Sequence, residues 1–215
     1  MAETDEVKAG LSAILGRIKH MTTQELEAWE KRERERIARV RALHLPKDMR
    51  RAVLNRQFKD GRTVRREQAI RHLEDSGDLL TIVLYGPTGS GKSVAAARWL
   101  CFNENAGEDS TLWLPAPKLD SIPIWGPELG RAKAVDALVI DDLGYEKSKK
   151  GIDSAEAIIW DRHHNERPTV ITTNLTSEEA EDRYNQRTIK RINQHGAWLL
   201  CNRVLRPDNS NRRTT

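Results

Sequence analysis

The segment at 86–93, which reads GPTGSGKS, limits what this chain can fold into more than any other. It follows the apolar run LLTIVLY at 79–85, and a helical pattern extends from 92 to 103. A buried strand, a loop with glycines at fixed places and a helix, in this order, form the P-loop that binds nucleotide phosphates. Backbone N–H groups of such a loop and the start of its helix surround a β-phosphate. The segment therefore predicts an ATP-binding α/β domain rather than a Gly-rich turn that matches by chance.

Each residue of this loop has an expected task. The glycines let the backbone curl, Lys92 reaches the β- and γ-phosphates, and the Ser93 hydroxyl binds Mg²⁺. The predicted nucleotide-binding residues are Gly86, Pro87, Thr88, Gly89, Ser90, Gly91, Lys92 and Ser93. ATP and Mg²⁺ are the expected ligands, because the chain has no NKxD signal of the kind that reads guanine.

Strands and helices alternate along the rest of the chain. Further apolar runs at 111–114, 137–141, 169–173 and 198–201 are predicted as buried strands, with helical segments between several of them. Alternation of this kind indicates a parallel sheet with helices on both faces.

Residues 137–142 read ALVIDD, an apolar strand that ends in two carboxylates. Alone, this pattern also fits an ordinary strand end. Downstream of a P-loop it indicates a Walker B element, in which Asp141 holds Mg²⁺ and Asp142 orients or deprotonates the attacking water.

The strand at 169–173 leads into Asn174, at the edge of the sheet where the nucleotide is expected. There the Asn174 side chain can position water near the γ-phosphate. The same turn also caps the next helix, through Thr176 or Ser177. The two roles are compatible, and we predict that Asn174 is a catalytic residue.

Charge is segregated along the chain. Residues 31–71 hold 15 basic and 5 acidic side chains, residues 183–215 hold 8 and 1, and residues 72–182 hold 10 and 20. Basic flanks around an acidic middle indicate a polyanionic partner, above all nucleic acid. The alternative is a solvated charged helix followed by a basic tail.

The beginning of the chain is predicted to be helical. Apolar residues at helical spacing give a short helix at 11–20, and a second helix begins after Thr22, which forms a capping box with Glu25. Pro46 ends or interrupts this second helix.

Composition excludes several classes of protein. Cys101 and Cys201 have no partners at metal-ligand spacing, so we expect neither a zinc site nor a disulfide framework. The acidic start MAETDEVKAG has no apolar signal region, and no run approaches the ~18 apolar residues of a membrane span. We therefore expect a cytoplasmic protein without a membrane partner.

Four segments together resemble the AAA+ ATPases of the DnaC/DnaI helicase-loader and IstB transposition-ATPase group. They are LVIDDLG at 138–144, RPTVITTNL at 167–175, YNQRTIKRI at 184–192 and the strand WLLCN that follows, and the resemblance covers about residues 79–202. The resemblance implies an AAA+ P-loop core at 76–206, preceded by a basic, helical, helicase-binding region at 1–75. The polar composition after Arg206 predicts a disordered basic tail at 207–215.

The resemblance also implies roles for three residues. Asn174 matches the sensor-1 residue, and Arg187 and Arg191 match basic residues that reach the γ-phosphate of a neighbouring subunit. We assign Arg191 as the arginine finger, which requires a homo-oligomer on the helicase. In the alternative, both arginines belong to a basic helix that faces DNA.

The segment at 22–38, TTQELEAWEKRERERIA, is similar to the helicase-binding region of DnaC-type loaders. It implies that Leu26 and Trp29 anchor a replicative helicase, unless their face packs on the helix at 11–18 as a small hairpin. The function implied is an ATP-dependent loader that delivers the helicase to single-stranded DNA. One alternative is an IstB-like ATPase that binds DNA and recruits a transposase. Another is a small-molecule kinase, against which the paired acids, the TTN strand and the basic flanks argue.

Three features depart from the loader pattern. Asp142 stands where such loaders often have Glu, and the shorter side chain bears on catalytic efficiency. Only 48 residues separate Lys92 from Asp141, so the insertion that helps these ATPases grip single-stranded DNA is shortened. After Arg203 the sequence departs from the family pattern, and no helical lid domain is expected.

Overall fold

The computed structural model describes residues 22–43, 45–54, 79–102 and 110–201. The chain divides into two compact units, Met1–Ala42 and Leu43–Thr215. The helix predicted at 11–20, the tail predicted at 207–215 and the domain boundary predicted after residue 75 lie outside the described residues. None of the helices in the described ranges combines the length and the apolar character that crossing a membrane requires.

The described part of the first unit is the helix α1, Thr23–Ala42. Its predicted capping box is confirmed, since the Glu25 N–H donates to the Thr22 hydroxyl (3.3 Å) and the Thr22 N–H donates to the Glu25 carboxylate (2.8 Å). These bonds satisfy donors that the start of a helix leaves free. The helix ends before Pro46, as predicted.

Strands of the second unit form one five-stranded parallel sheet in the order β2-β3-β4-β1-β5. They are β1 (Thr81–Tyr85), β2 (Thr111–Pro115), β3 (Ala137–Leu143), β4 (Thr169–Thr173) and β5 (Gly196–Leu200). Each coincides with or overlaps a predicted apolar run, although β5 begins at Gly196 rather than at Trp198. The prediction of a parallel sheet is confirmed.

Helices flank this sheet, as expected of an α/β fold. They are α2 (Lys47–Leu54), α3 (Lys92–Phe102), α4 (Pro127–Ala134), α5 (Lys149–His164), α6 (Ser177–Arg183) and α7 (Gln186–His195), with a 3-10 helix at Ala116–Asp120. Val83, Ile140 and Ile171 of three strands pack with Ile158 of α5 and Ile189 of α7 in a buried core. This core fixes the strands in register, so their carboxyl ends meet at one edge.

The opposite, amino-terminal edge of the sheet contains a buried cation, Arg162 of α5, which is only 1% exposed. Its guanidinium donates to the carbonyl oxygens of Val135 (2.6 Å), Pro168 (2.7 Å) and Ala132 (3.1 Å) and to the Thr169 hydroxyl (2.8 Å). All these acceptors are neutral, and burial lowers the pKa of Arg162 to about 10. One side chain thus joins the end of α4 to the starts of β3 and β4.

Candidate nucleotide site

The P-loop lies between β1 and α3, at the edge where the parallel strands end. Gly86, Gly89 and Gly91 have φ of +133°, +81° and +94°, in the region that favours glycine. A Cβ at Gly86 would also overlap the carbonyl oxygen of Cys201, which follows β5. Because α3 begins at Lys92, its first N–H groups have no acceptors within the helix. The backbone therefore fits the phosphate cradle predicted from the motif.

Lys92 lies beneath this loop and is only 5% exposed. Its ammonium group donates to the carbonyl oxygens of Gly86 (2.7 Å) and Pro87 (2.9 Å) and to the side-chain oxygen of Asn174 (3.0 Å). Burial lowers the pKa of Lys92, while nearby carboxylates oppose that shift. These partners are neutral, so the charged oxygens of a phosphate would bind the ammonium group more strongly.

The two acids of the predicted Walker B element are organised by one residue of the neighbouring strand, Thr172. Its hydroxyl donates to the Asp141 carboxylate (2.7 Å) and accepts from the Asp142 N–H (2.9 Å). Burial raises the pKa of Asp141, while hydrogen bonds from the Thr172 and Ser93 hydroxyls act to lower it. The structure therefore brings together Ser93 and Asp141, the two residues predicted to hold Mg²⁺.

A hydroxyl and a carboxylate are hard oxygen ligands that suit Mg²⁺, which usually takes one or two protein groups together with water and phosphate oxygens. Within the described ranges, no cluster of three or more His, Cys, Asp or Glu side chains could hold a metal by itself. Ser93 and Asp141 therefore fit a magnesium ion that binds together with a nucleotide.

Asp142 occupies an irregularity in β3. The register with β4 shifts between Ile140 and Leu143, and Asp142 has φ of +59°. A left-handed conformation is costly for most residues, but Asp and Asn tolerate it. The irregularity interrupts the alternation of the strand and leaves the Asp142 side chain exposed. An exposed carboxylate next to Asp141 is placed where the sequence predicts the group that activates water.

Asn174 connects the P-loop with the segment after β3. Its side-chain oxygen accepts from Lys92, and its amide nitrogen donates to the hydroxyls of Thr88 (3.2 Å) and Tyr145 (3.0 Å). The predicted helix cap is made by Thr176, in a capping box with Glu179. Asn174 is therefore free of capping and lies at the loop.

Sequence reasoning missed Thr172 and Tyr145 as parts of this site. Thr172 belongs to the TTN end of β4, where the signal was a polar cluster that pointed to Asn174 alone. Tyr145 follows the Walker B strand without any motif that marks it. Their contacts with Asp141 and Asn174 depend on the neighbouring positions of β3 and β4 in the sheet.

The two candidate finger residues lie on α7, away from the P-loop residues. Arg187 is exposed in the first turn of the helix. Arg191 is half-buried, with its guanidinium 5.6 Å from the ring centroid of Trp160, and that ring stacks on His164 at 5.5 Å. Since α7 leads to the start of β5, Arg191 lies toward the amino-terminal edge of the sheet. It does not contact the P-loop of its own chain.

Two further tryptophans differ in exposure. On α1, Trp29 and Leu26 are both half-buried. Trp125 is 97% exposed, beside Ile124 at 45%, in a turn closed by a hydrogen bond from the Gly126 N–H to the Pro123 carbonyl (2.8 Å). This turn follows the 3-10 helix after β2, so it lies at the carboxyl edge of the sheet. Sequence reasoning did not single out Trp125.

No family model and no curated protein matches this chain. Among solved structures, it is similar to DnaI, with a TM-score of 0.56 and 20% identity over 74% of this chain and 95% of that one. It is also similar to a putative primosome component from Streptococcus pyogenes serotype M3, with a TM-score of 0.59 and 21% identity over 79% of this chain and 98% of that one. A replication initiator DnaA bound to AMPPCP and single-stranded DNA matches with a TM-score of 0.50 and 18% identity, over 68% of this chain but only 46% of that one. The chain therefore shares the fold of these proteins, a parallel α/β sheet flanked by helices, as the resemblance implied.

Proposed function

We propose that this chain binds ATP at the P-loop and hydrolyses it. The observation that carries the proposal is the convergence of distant residues on one loop. Lys92 bonds to the loop and to Asn174, and Asp141 interacts with Ser93. Groups suited to phosphate, to metal and to water thus meet at one edge of the sheet, which is the arrangement that transfer of a phosphoryl group to water requires.

The residues have separate tasks in this reaction. Lys92 exchanges neutral carbonyl partners for β- and γ-phosphate oxygens, which accept charge-assisted hydrogen bonds. Ser93 and Asp141 hold Mg²⁺, which neutralises phosphate charge when bound. Asn174 orients the attacking water and Asp142 accepts its proton. Oxygen of water bonds to the γ-phosphorus, the bridging P–O bond breaks, and ADP leaves with the electron pair.

A binding titration and a phosphate-release assay test this reaction. The full chain is titrated calorimetrically with ATP and with ADP in the presence of Mg²⁺, and phosphate release is followed separately. We expect binding of both nucleotides and release of phosphate from ATP. Absence of ATP binding would overturn the assignment.

We propose further that this ATPase acts as a replicative helicase loader. Two of the similar structures are named as DnaI and as a putative primosome component. The α1 sequence also resembles the helicase-binding region of DnaC-type loaders. Leu26 and Trp29 offer a partner an apolar patch on an otherwise highly charged helix. Trp is enriched among residues that dominate binding energies, because it buries a large area.

Single-stranded DNA is the second partner that we propose. The turn at 121–126 exposes Trp125 at the same edge of the sheet as the P-loop. Exposed aromatic rings stack on unpaired bases, and basic side chains follow the phosphate backbone. Lys118 and Lys147 are both exposed, with Lys118 paired to Glu128 at 3.5 Å and the Lys147 N–H donating to Asp120. This turn supports DNA binding by the shortened segment before Asp141.

We propose that the loader works as a homo-oligomer, with Arg191 acting on the nucleotide of a neighbouring subunit. The position of Arg191 away from its own P-loop supports a role in trans. A cation there would stabilise the charge of the transferring phosphoryl group. The alternative, in which Arg187 and Arg191 face DNA, predicts that both substitutions weaken DNA binding.

Mixing experiments separate the loader from a transposition ATPase. The protein is combined with a replicative helicase, and separately with single-stranded and duplex DNA, with and without ATP, and complexes are resolved by size exclusion. We expect ATP-dependent helicase binding and a preference for single strands. Trp29→Ala should weaken helicase binding by about 2 kcal/mol while leaving the ATPase of the isolated chain unchanged. No helicase binding together with equal affinity for both DNA forms would favour the transposition ATPase.

A further inference from the structure

Tyr145 lies in the segment that follows the Walker B strand, and its side chain is half exposed. Its hydroxyl oxygen is 3.0 Å from the Asn174 amide nitrogen, and the Asn174 side-chain oxygen is 3.0 Å from the Lys92 ammonium nitrogen. Two hydrogen bonds therefore connect the Tyr145 hydroxyl to the Lys92 ammonium group, which is proposed to bind the β- and γ-phosphates. The residue lies at the nucleotide edge without any role in the mechanism above.

The chemistry of this contact fixes which group donates. The side-chain amide nitrogen of Asn donates hydrogen bonds but does not accept them, so the Tyr145 oxygen accepts the hydrogen bond from Asn174. A phenol has one proton of its own to donate. Among the described residues, no protein acceptor receives the Tyr145 proton. The hydroxyl is therefore oriented by Asn174 and keeps a donor available at the edge of the site.

The segment that carries Tyr145 is firmly held. The next residue, Glu146, is 2% exposed and accepts hydrogen bonds from the Gly144 N–H (3.0 Å), the Arg183 guanidinium (3.1 Å) and the Tyr184 hydroxyl. Burial raises the pKa of Tyr184, so this hydroxyl keeps the proton that it donates. A buried anchor directly after Tyr145 limits the positions that the phenol ring can take.

We infer that Tyr145 is a nucleotide-binding residue whose hydroxyl donates a hydrogen bond to the γ-phosphate of ATP. The inference rests on the proposed function, because it requires ATP on the P-loop. A γ-phosphate oxygen is a charged acceptor and gains more from a preoriented donor than a neutral one does. ADP lacks this phosphate, so Tyr145 distinguishes ATP from ADP.

The test compares two nucleotides on one variant. Tyr145→Phe removes the hydroxyl and keeps the ring. The full chain is titrated calorimetrically with a non-hydrolysable ATP analogue and with ADP, both in the presence of Mg²⁺. We expect affinity for the ATP analogue to fall by about tenfold or more, as for a lost hydrogen bond to a charged group. Affinity for ADP should stay as it is in the unmodified chain.

Tyr85→Phe is the matched control, because it removes the same group from a ring that packs edge-on against Trp198. It should leave both affinities unchanged. Equal loss of both nucleotides in Tyr145→Phe, or no loss of either, would overturn the inference while leaving the ATPase proposal in place. If the unmodified chain binds neither nucleotide, the proposed function fails as well.

Discussion

Two cations are buried at opposite edges of the same sheet, Lys92 at the carboxyl edge and Arg162 at the amino-terminal edge. Both donate mainly to backbone carbonyl groups, and burial lowers the pKa of both. They differ in which parts of the molecule supply their hydrogen-bond acceptors. Arg162 binds main-chain atoms and the Thr169 hydroxyl where α4 ends and β3 and β4 begin, whereas Lys92 binds the glycine-rich loop and the Asn174 side chain.

This difference separates a cation that holds the fold from one that awaits a ligand. The partners of Arg162 belong to packed elements and have no substitute, because leaving several buried carbonyl groups unpaired is costly. The carbonyl partners of Lys92 belong to a loop whose N–H groups are suited to an anion, so a bound phosphate can replace these carbonyl groups as the acceptor. Burial of a positive charge therefore does not identify a ligand-binding site by itself. Whether a ligand can replace the partners of the charge distinguishes a binding cation from a structural one.

The largest effect is expected for Lys92→Ala, which should abolish turnover and reduce ATP affinity by about 100-fold, the loss of a strong hydrogen bond to a charged group. Its stability without nucleotide should be equal to or above that of the unmodified chain, because a desolvated charge is removed. Nucleotide titration and urea unfolding measure the two quantities. Unchanged affinity and turnover would contradict the P-loop assignment.

Arg162→Met should have the reverse outcome and lower the free energy of unfolding by about 3 kcal/mol or more, since it leaves several buried carbonyl groups unpaired. Urea unfolding checks this value. Arg167→Met is the matched control, because Arg167 is half-buried and donates to the Lys133 carbonyl at 2.6 Å. The control should cost about 1 kcal/mol. Equal free energies of unfolding for the two variants would contradict the structural role assigned to Arg162 at the amino-terminal edge.

Asp142→Asn sharpens the comparison within the carboxyl edge. Asn also tolerates the positive φ at this position, so the backbone should be kept. We expect ATP to remain bound and turnover to fall by about 100-fold, because the group that accepts the proton of water is neutralised. Single-turnover phosphate release with separately measured ATP affinity is the assay. Undiminished turnover would place the base elsewhere.

The smallest effect on the isolated chain is expected for Arg191→Ala, which should leave both ATP affinity and stability nearly intact. Turnover should fall only in the assembled state, because the finger acts on the neighbouring subunit. Mixing this variant with Lys92→Ala recreates interfaces that pair an intact P-loop with an intact finger, and activity should recover. If no mixing ratio restores activity, Arg191 does not act in trans.

The parts of this molecule that the sequence predicted are contiguous in the chain. The P-loop could be read because strand, loop and helix follow one another, and the Walker B acids because they end an apolar run. Thr172 and Tyr145 could not, since their roles depend on which strands are neighbours. No sequence motif marks Arg162 either, because most of its acceptors are main-chain carbonyl groups, which every residue has.

The contact between Gly86 and Cys201 has a consequence for how the sheet opens. The Cys201 N–H donates to the Tyr85 carbonyl (2.7 Å), and its own carbonyl occupies the space beside Gly86 where a Cβ would otherwise lie. The outer strand β5 therefore ends against the first residue of the P-loop. Outer strands are where local opening and amide exchange with solvent begin most easily. A phosphate that orders the loop would slow amide exchange along β5. The amide exchange rate of β5, a strand that does not contact the nucleotide, would therefore report whether nucleotide is bound.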